Sequence, residues 1–200
     1  MNDLGVVFGG LTGKSKQDFA NGNERYVSYL NVFNNLSVDT SAQDFVSIGE
    51  GERQRRLHAG DILLTGSSES PDEVAMSSVV VEEPKAPLYL NSFCIALRPN
   101  EAIGLNPEFS KHLFRSTGMR RELIRTASGV TRFNVSKERL RKVRVPIPDA
   151  ECQTRIAAVL DRFEALTSDL TFGLPAELVA RRQQYEYYRN GLFDFEQLAA

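Results

Sequence analysis

The pattern of apolar and polar residues changes along the chain. Over residues 1–105, apolar residues form short runs rich in β-branched and aromatic side chains, and clusters of Gly, Asn and Ser separate these runs. The spacing predicts short strands at residues 4–8, 26–30, 45–48, 61–65, 79–81 and 92–97. We therefore expect an irregular, mostly antiparallel sheet or half-barrel in this part of the chain.

The next segment contains signals that begin and end helices. Asn106 followed by Pro107 predicts a helix, because Asn is a good N-cap residue and Pro is tolerated in the first helical turn. We expect this helix to end near Gly118, and a second helical piece to end at Gly129. Ser136 is expected to begin a further short helix.

Residues 149–200 have a helical pattern. Apolar residues recur at intervals of three and four, which places them on stripes of helices before and after Gly173. The stripes consist of Ile156, Val159, Leu160, Phe163, Leu166 and Leu170, and then of Leu174, Leu178, Tyr185, Tyr188 and Leu192. Two interpretations stay open: an amphipathic helix docked on its own domain, or a protruding spacer that pairs with another helix.

Together these patterns predict an α+β protein. We place the domain boundary at Pro148, so that residues 1–148 form an irregular, mostly antiparallel β domain and residues 149–200 form a long, coiled-coil-forming helical spacer. No apolar run reaches membrane-spanning length and no secretory leader opens the chain. We therefore expect a soluble, cytoplasmic protein without a membrane partner.

The charge of the chain is unevenly distributed. Its net charge is only −2, but residues 108–144 contain eleven Lys and Arg against three Glu. Such a run is commonly a solvated face, yet so many neighbouring cations also suit a surface that follows DNA phosphates. Within this window, residues 127–137 combine Gly129, which would let a partner approach closely, with cationic and hydrogen-bonding side chains. The same segment also fits a loop that caps a helix at Ser136, and the two interpretations are compatible.

Two motifs resemble parts of enzymes, but neither has the full pattern. Residues 9–15, Gly-Gly-Leu-Thr-Gly-Lys-Ser, resemble a phosphate-binding P-loop, but Phe8 occupies the position of its first glycine and no helical pattern follows. Residues 106–109, Asn-Pro-Glu-Phe, resemble a loop of amino-methyltransferases, but a helix cap explains them without further assumptions. A nucleotide-binding enzyme that uses Lys14 and Ser15 stays an alternative, as does a coiled-coil adaptor that does not bind DNA.

The cysteines and histidines do not form a recognisable site in the sequence. Cys94 and Cys152 lack the spacing of a zinc site or a disulfide framework, and His58 and His112 have no nucleophile motif nearby. We therefore expect no metal and no catalytic residue.

Five short segments occur in an order that is specific to one protein family. They are Gly-Asp-Ile-Leu-Leu-Thr-Gly-Ser-Ser-Glu (60–69), Tyr-Leu-Asn-Ser-Phe-Cys (89–94), Ala-Ser-Gly-Val-Thr-Arg-Phe-Asn-Val-Ser-Lys (127–137), Val-Pro-Ile-Pro (145–148) and Arg-Arg-Gln-Gln-Tyr-Glu-Tyr-Tyr-Arg (181–189). Together they resemble the specificity subunit of type I restriction-modification systems. That subunit carries two target-recognition domains, each with a helical region, whereas this chain matches one such unit. We expect a natural half-subunit or a fragment of a longer protein.

The resemblance implies that DNA recognition and catalysis belong to different subunits. The domain would read one half of a split DNA site, and the helices would fix the distance between the half-sites. The chain would be non-catalytic and hold no cofactor, because a partner methyltransferase subunit binds S-adenosylmethionine and methylates adenine, and a partner endonuclease subunit translocates DNA. Two copies would mimic one full subunit as a homodimer, with their spacers packed antiparallel about a two-fold axis.

The expected DNA-binding residues are cationic or carry hydroxyl and amide groups. They are Lys14, Lys16, Arg53, Arg55, Arg56, Ser67, Ser68, Thr131, Arg132, Asn134 and Lys137. We expect Lys14 and Lys137 to contact phosphates and Arg132 to contact bases, or bases and phosphates together. Ser67 and Ser68 are expected in a turn after the strand at 60–65, where they would contact bases.

Overall fold

The computed structural model describes residues 1, 4–165 and 183–184. The chain divides into two compact units, Met1–Ala157 and Ala158–Ala200. The first unit extends past Pro148, where the sequence places the domain boundary. Gln153 and Ala157 are both buried, so the helix that begins at residue 150 contributes its first turns to the first unit.

The described residues contain ten short strands. These are β1 (Gly5–Gly9), β2 (Glu24–Val27), β3 (Phe45–Val46), β4 (Ile62–Thr65), β5 (Ser67–Ser68), β6 (Ser77–Val79), β7 (Leu88–Leu90), β8 (Cys94–Pro99), β9 (Ala127–Ser128) and β10 (Phe133–Val135). The α-helices are α1 (Tyr29–Asn34), α2 (Pro107–Leu113), α3 (Thr117–Ile124), α4 (Lys137–Lys142) and α5, which begins at residue 150 and is described to residue 165. Single 3₁₀ turns lie at Lys16–Phe19 and Glu101–Ile103.

The strands form three small sheets, in the orders β1-β8-β4-β6, β3-β2-β7 and β5-β10-β9. Strands β2 and β7 are parallel, and the other pairings among these strands are antiparallel. The prediction of an irregular, mostly antiparallel domain is therefore confirmed. The core lies on both faces of the first sheet, because Ile62 and Leu64 belong to one buried cluster while Leu63 between them belongs to another.

The strand predicted at 26–30 is wrong in its second half. Strand β2 ends at Val27, and α1 begins at Tyr29 after Ser28, which has the extended backbone of an N-cap residue. Asn31 holds this turn in place: its side chain donates to the Asp39 carbonyl at 2.8 Å and accepts from the Asp39 amide at 3.0 Å. A contact between residues this far apart cannot be read from local periodicity.

The helix signals around Asn106 and Ser136 are confirmed. The Asn106 side chain accepts a hydrogen bond from the Glu108 amide, and the Ser136 hydroxyl accepts one from the Arg139 amide. The helix after Asn106 ends at Leu113 rather than near Gly118, because Ser116 caps a new helix whose first turn contains Gly118.

The predicted helical stripe is described only in part. Ile156 is half-buried, whereas Val159 and Leu160 expose 47% and 37% of their surface. Phe163 is also exposed. The remaining positions of the stripes, Leu166, Leu170, Leu174, Leu178, Tyr185, Tyr188 and Leu192, lie outside the described residues. Over the part of the chain that is described, no helix is both long and apolar enough to cross a membrane.

Candidate nucleic-acid interface

A hairpin formed by β9 and β10 carries the segment that the sequence singles out. Asn134 pairs with Ser128 and Val135 with Ala127. Gly129, in the turn between the strands, has a φ of 152°, and a Cβ atom on it would lie 1.9 Å from the Arg132 carbonyl oxygen. The close approach that the sequence assigns to a binding partner is therefore made within the hairpin itself.

The hairpin is extended by a strand from a distant part of the chain. Ser67 and Ser68 form β5, in which Ser68 pairs with Phe133 and Ser67 with Asn134. The prediction that these serines lie in a turn is wrong, because β10 gives their backbone a pairing partner. The pairing brings four predicted DNA-binding residues onto one small sheet or next to it: Ser67, Ser68, Arg132 and Asn134.

Arg132 is exposed at the end of the hairpin turn and has two neighbours from other segments. Its guanidinium donates to the Ser67 hydroxyl at 3.3 Å, and its Cζ atom lies 5.6 Å from the centroid of the Phe93 ring. A guanidinium has five N–H donors in a planar fork, so most of them stay available beside these contacts. This is the donor geometry that matches the O6 and N7 acceptors of guanine.

Phe93 also belongs to this surface, although the sequence pattern does not indicate it. It falls in the strand predicted at 92–97, where it would be a core residue, but β8 begins at Cys94 and Phe93 is 59% exposed. The signal that would identify it is its position directly after Asn91 and Ser92, which are typical turn residues.

Lys137 and Asn134 line a shallow depression of about 220 Å³ together with Gly9, Ser67 and Phe93. Lys137 is exposed and makes no ion pair with any residue that the structure describes. Its ammonium group lies close above Gly9, where an added Cβ would be 3.0 Å from it. Lys137 is therefore available to an anionic partner beside the β5-β10-β9 sheet.

Lys14 is not available in this way. Its ammonium donates to the Ser47 carbonyl and to the Glu52 carboxylate, both at 2.6 Å, and its side chain is only 6% exposed. This hydrogen bond, with further bonds from Gln54 and the Gly49 amide, lowers the pKa of Glu52 from 4.5 to about 2. The expected phosphate contact by Lys14 is corrected, because the lysine neutralises an acid of its own domain.

The other predicted cations are exposed but only one lies near Phe93. Lys16 lines a depression of about 390 Å³ with Asn91, Ser92 and Phe93. Arg55 instead stacks on the ring of Phe8, 4.9 Å from its centroid. Arg53 and Arg56 are exposed, and the structure shows no contact between them and the hairpin among the described residues. Thr131 is exposed in the hairpin turn.

Two cations of the basic window support the fold rather than a DNA surface. Arg115 donates to the carbonyls of Ser77, Val32, Phe33 and Asn35, and burial lowers its pKa to about 10. Arg120 donates to three carbonyls of a single turn, those of Asp72, Val74 and Ala75. The number of Lys and Arg residues in this window is therefore larger than the number of cations that are available to a phosphate.

The P-loop-like segment does not form a phosphate cradle. The amide of Gly10 donates to Cys94 and that of Leu11 to Leu90, so the sheet region already uses these donors. The Ser15 amide and hydroxyl both bind Asp18 at 2.7 Å. These contacts leave the nucleotide-binding alternative without a site at Lys14 and Ser15.

Comparison with known proteins agrees with the fold. Residues 1–180 match the model of the protein family described as Type I restriction modification DNA specificity domain. Because this match covers most of the chain, the chain belongs to that family. It is similar to the Type I restriction enzyme EcoR124I/EcoR124II specificity subunit of Escherichia coli, with 30% identity over 201 residues, 98% of this chain and 47% of that protein.

Two solved structures share the fold. One is the S subunit of a type I restriction-modification system from M. genitalium, with a TM-score of 0.52, 14% identity, and coverage of 98% of this chain and 45% of that one. The other is the HsdS subunit from Thermoanaerobacter tengcongensis, with a TM-score of 0.54, 19% identity, and coverage of 85% and 37%. This chain spans less than half the length of each of these relatives.

Proposed function

We propose that this chain recognises a DNA sequence through the β5-β10-β9 sheet and the residues around it, and that it reads one half of a bipartite site. The observation that carries the proposal is the pairing of β5 with β10. It brings the half-buried hydroxyl of Ser68 close to the exposed side chains of Asn134 and Arg132, while Ser67 is buried, in a chain of the DNA specificity domain family. Hydroxyl, amide and guanidinium groups are the side-chain types that contact base edges.

The residues of this surface have different roles in the proposal. Arg132 contacts a base, because its planar fork can bond two acceptors of guanine at once. Lys137 contacts a phosphate, because an ammonium on a flexible stem acts as a point charge without a preferred base. Lys16 adds a second phosphate contact on the other side of Phe93.

The chemistry of modification and cleavage belongs to partner subunits in this proposal. The chain itself is non-catalytic, and S-adenosylmethionine binds to a methyltransferase subunit that methylates adenine. An endonuclease subunit that translocates DNA completes the complex. Support comes from the relative in Escherichia coli, which is named as the specificity subunit of a restriction enzyme. Calorimetry in which the isolated chain binds S-adenosylmethionine tightly would overturn this assignment.

The helical region is proposed to pair two copies of the chain and to set the half-site spacing. Exposed Val159 and Leu160 are among the described apolar residues of the stripe, and they favour such pairing. Val159→Lys together with Leu160→Lys should convert a dimer into a monomer in sedimentation. The matched control, Arg155→Lys together with Ala158→Lys, changes two exposed residues outside the stripe and should remain a dimer. A wild-type chain that is monomeric at high concentration would contradict the pairing.

The direct test of the proposed function uses a host that carries the chain with its methyltransferase. Sequencing that reports methylated adenines should give one bipartite motif for the wild type. Arg132→Ala should relax the motif at one position or abolish methylation, because a base contact is lost. Arg121→Ala removes an exposed arginine of α3 that is not part of the hairpin, and it should leave the motif unchanged. An unchanged motif with Arg132→Ala would place the reading surface elsewhere.

A further inference from the structure

Phe93 is held by its backbone while its ring stays in solvent. The Phe93 amide donates to the Asn91 side chain at 2.9 Å, and the Phe93 carbonyl accepts from the Gly66 amide at 2.7 Å. The backbone is therefore fixed on both sides, yet 59% of the residue is exposed. A single exposed apolar side chain is unremarkable by itself, so its surroundings decide whether it has a role.

The Phe93 ring stands between three depressions of the surface, and at least one cation lines each of them. The first, about 370 Å³, contains Arg132; the second, about 220 Å³, contains Lys137; the third, about 390 Å³, contains Lys16 and also Lys14, which is paired with Glu52. The ring is thus an apolar ridge at the centre of the candidate DNA surface. An anionic partner that occupies these depressions must lie against it.

The first depression favours base edges over phosphates. It is lined by the acidic residues Glu69 and Glu73 as well as by Arg132, Ser67 and Ser68. Carboxylates repel a phosphate but accept hydrogen bonds from the amino groups of bases. The side of the Phe93 ring that faces this depression therefore lies next to a surface that suits base edges.

The position of Arg132 over the ring limits the contacts that Phe93 can make with DNA. A side chain that wedges between two base pairs needs both faces free to stack. One face of Phe93 is covered by a guanidinium 5.6 Å from the ring centroid. The free face and the edge of the ring remain, and they suit a contact with a group that projects from a base edge. In the major groove, the apolar group that projects in this way is the C5 methyl of thymine.

We propose that Phe93 is a specificity-determining residue that packs against the C5 methyl group of thymine, next to a guanine bound by Arg132. The proposal rests on the proposed DNA-binding function and extends it to a named base contact. It predicts that the half-site contains a thymine beside a guanine.

The test uses the full chain and duplexes that it selects from a random-sequence pool. Each selected duplex is remade with uracil in place of thymine, which removes only the C5 methyl. Wild type should bind the uracil duplex about fourfold more weakly for one contacted methyl, the factor that corresponds to ~0.8 kcal/mol for a methyl-sized apolar group. Phe93→Ala should bind the two duplexes equally, because it has no ring to contact the methyl.

Control variants make the outcome specific. Phe45→Ala removes an exposed phenylalanine on β3 and should keep the wild-type preference for thymine. Phe93→Leu should keep part of that preference, and it provides the comparison if Phe93→Ala melts at a lower temperature. A wild type that is indifferent to uracil, or a Phe93→Ala variant with the wild-type ratio, would overturn the proposal. If no duplex is enriched from the pool, the proposed DNA-binding function fails, and this contact fails with it.

Discussion

Lys14 and Glu52 form an ion pair in which the ammonium and the carboxylate oxygen are 2.6 Å apart, and the lysine is almost completely buried. Because the ammonium also holds the Ser47 carbonyl, Lys14 joins the segment after β1 to the segment after β3. Lys14→Ala should therefore lower the melting temperature and leave the salt dependence of DNA affinity unchanged. Lys137→Ala should leave the melting temperature unchanged. It should lower the salt slope of DNA affinity by ~1, because one phosphate contact is lost.

The pair also predicts a pH dependence. The pKa of Glu52 is lowered from 4.5 to about 2 in the folded chain, chiefly by the hydrogen bond from Lys14. The stabilisation is therefore complete above pH 4.5 and is lost as the pH falls toward 2. The difference in melting temperature between wild type and Glu52→Gln should shrink over this interval. Glu50→Gln, at an exposed neighbouring position that makes no ion pair with Lys14, is the matched control.

The ion pair of Asp61 with Arg98 should contribute more to stability than the pair of Lys14 with Glu52. Asp61 is buried, and both of its carboxylate oxygens accept from Arg98, at 2.8 and 2.7 Å. Asp61→Ala should reduce the free energy of unfolding in urea by ~3 kcal/mol, the lower end of the range for a broken buried pair, because Arg98 is itself 38% exposed. Glu69→Ala, at an exposed position, should stay within ~0.5 kcal/mol of wild type.

Two glycines make a matched pair for testing the hairpin. Gly129→Ala would bring a Cβ within 1.9 Å of the Arg132 carbonyl, so the turn must distort and the Arg132 guanidinium must move. Gly129→Ala should therefore lower DNA affinity, and it should reduce the free energy of unfolding by ~1–3 kcal/mol. Gly118→Ala lies in α3 with nothing within 4 Å of the added Cβ, and should stabilise the chain by ~0.5–1 kcal/mol without a change in affinity. Equal effects of both variants on DNA binding would contradict the role given to the hairpin.

The sequence predicts the features that depend on neighbouring residues. The caps at Asn106 and Ser136 involve residues two and three positions away, and both are found where they are predicted. The pairing of Ser67 with Asn134 and the pairing of Lys14 with Glu52 join distant segments, and no local pattern indicates them. Phe93 was missed for a related reason: an aromatic residue at the start of an apolar run is typical of a strand, and only the fold shows that the ring faces solvent.

Sequence reading by Arg132 can be tested by measuring the affinity of Arg132→Ala for two duplexes, one selected by the wild-type chain and one with the same bases in scrambled order. We expect a loss of ~1–3 kcal/mol on the selected duplex and little change on the scrambled one, because a base contact contributes only where its base is present. Arg121→Ala should match wild type on both duplexes. An Arg132→Ala variant that binds both duplexes like wild type, or that loses the same affinity on both, would contradict sequence reading by this surface.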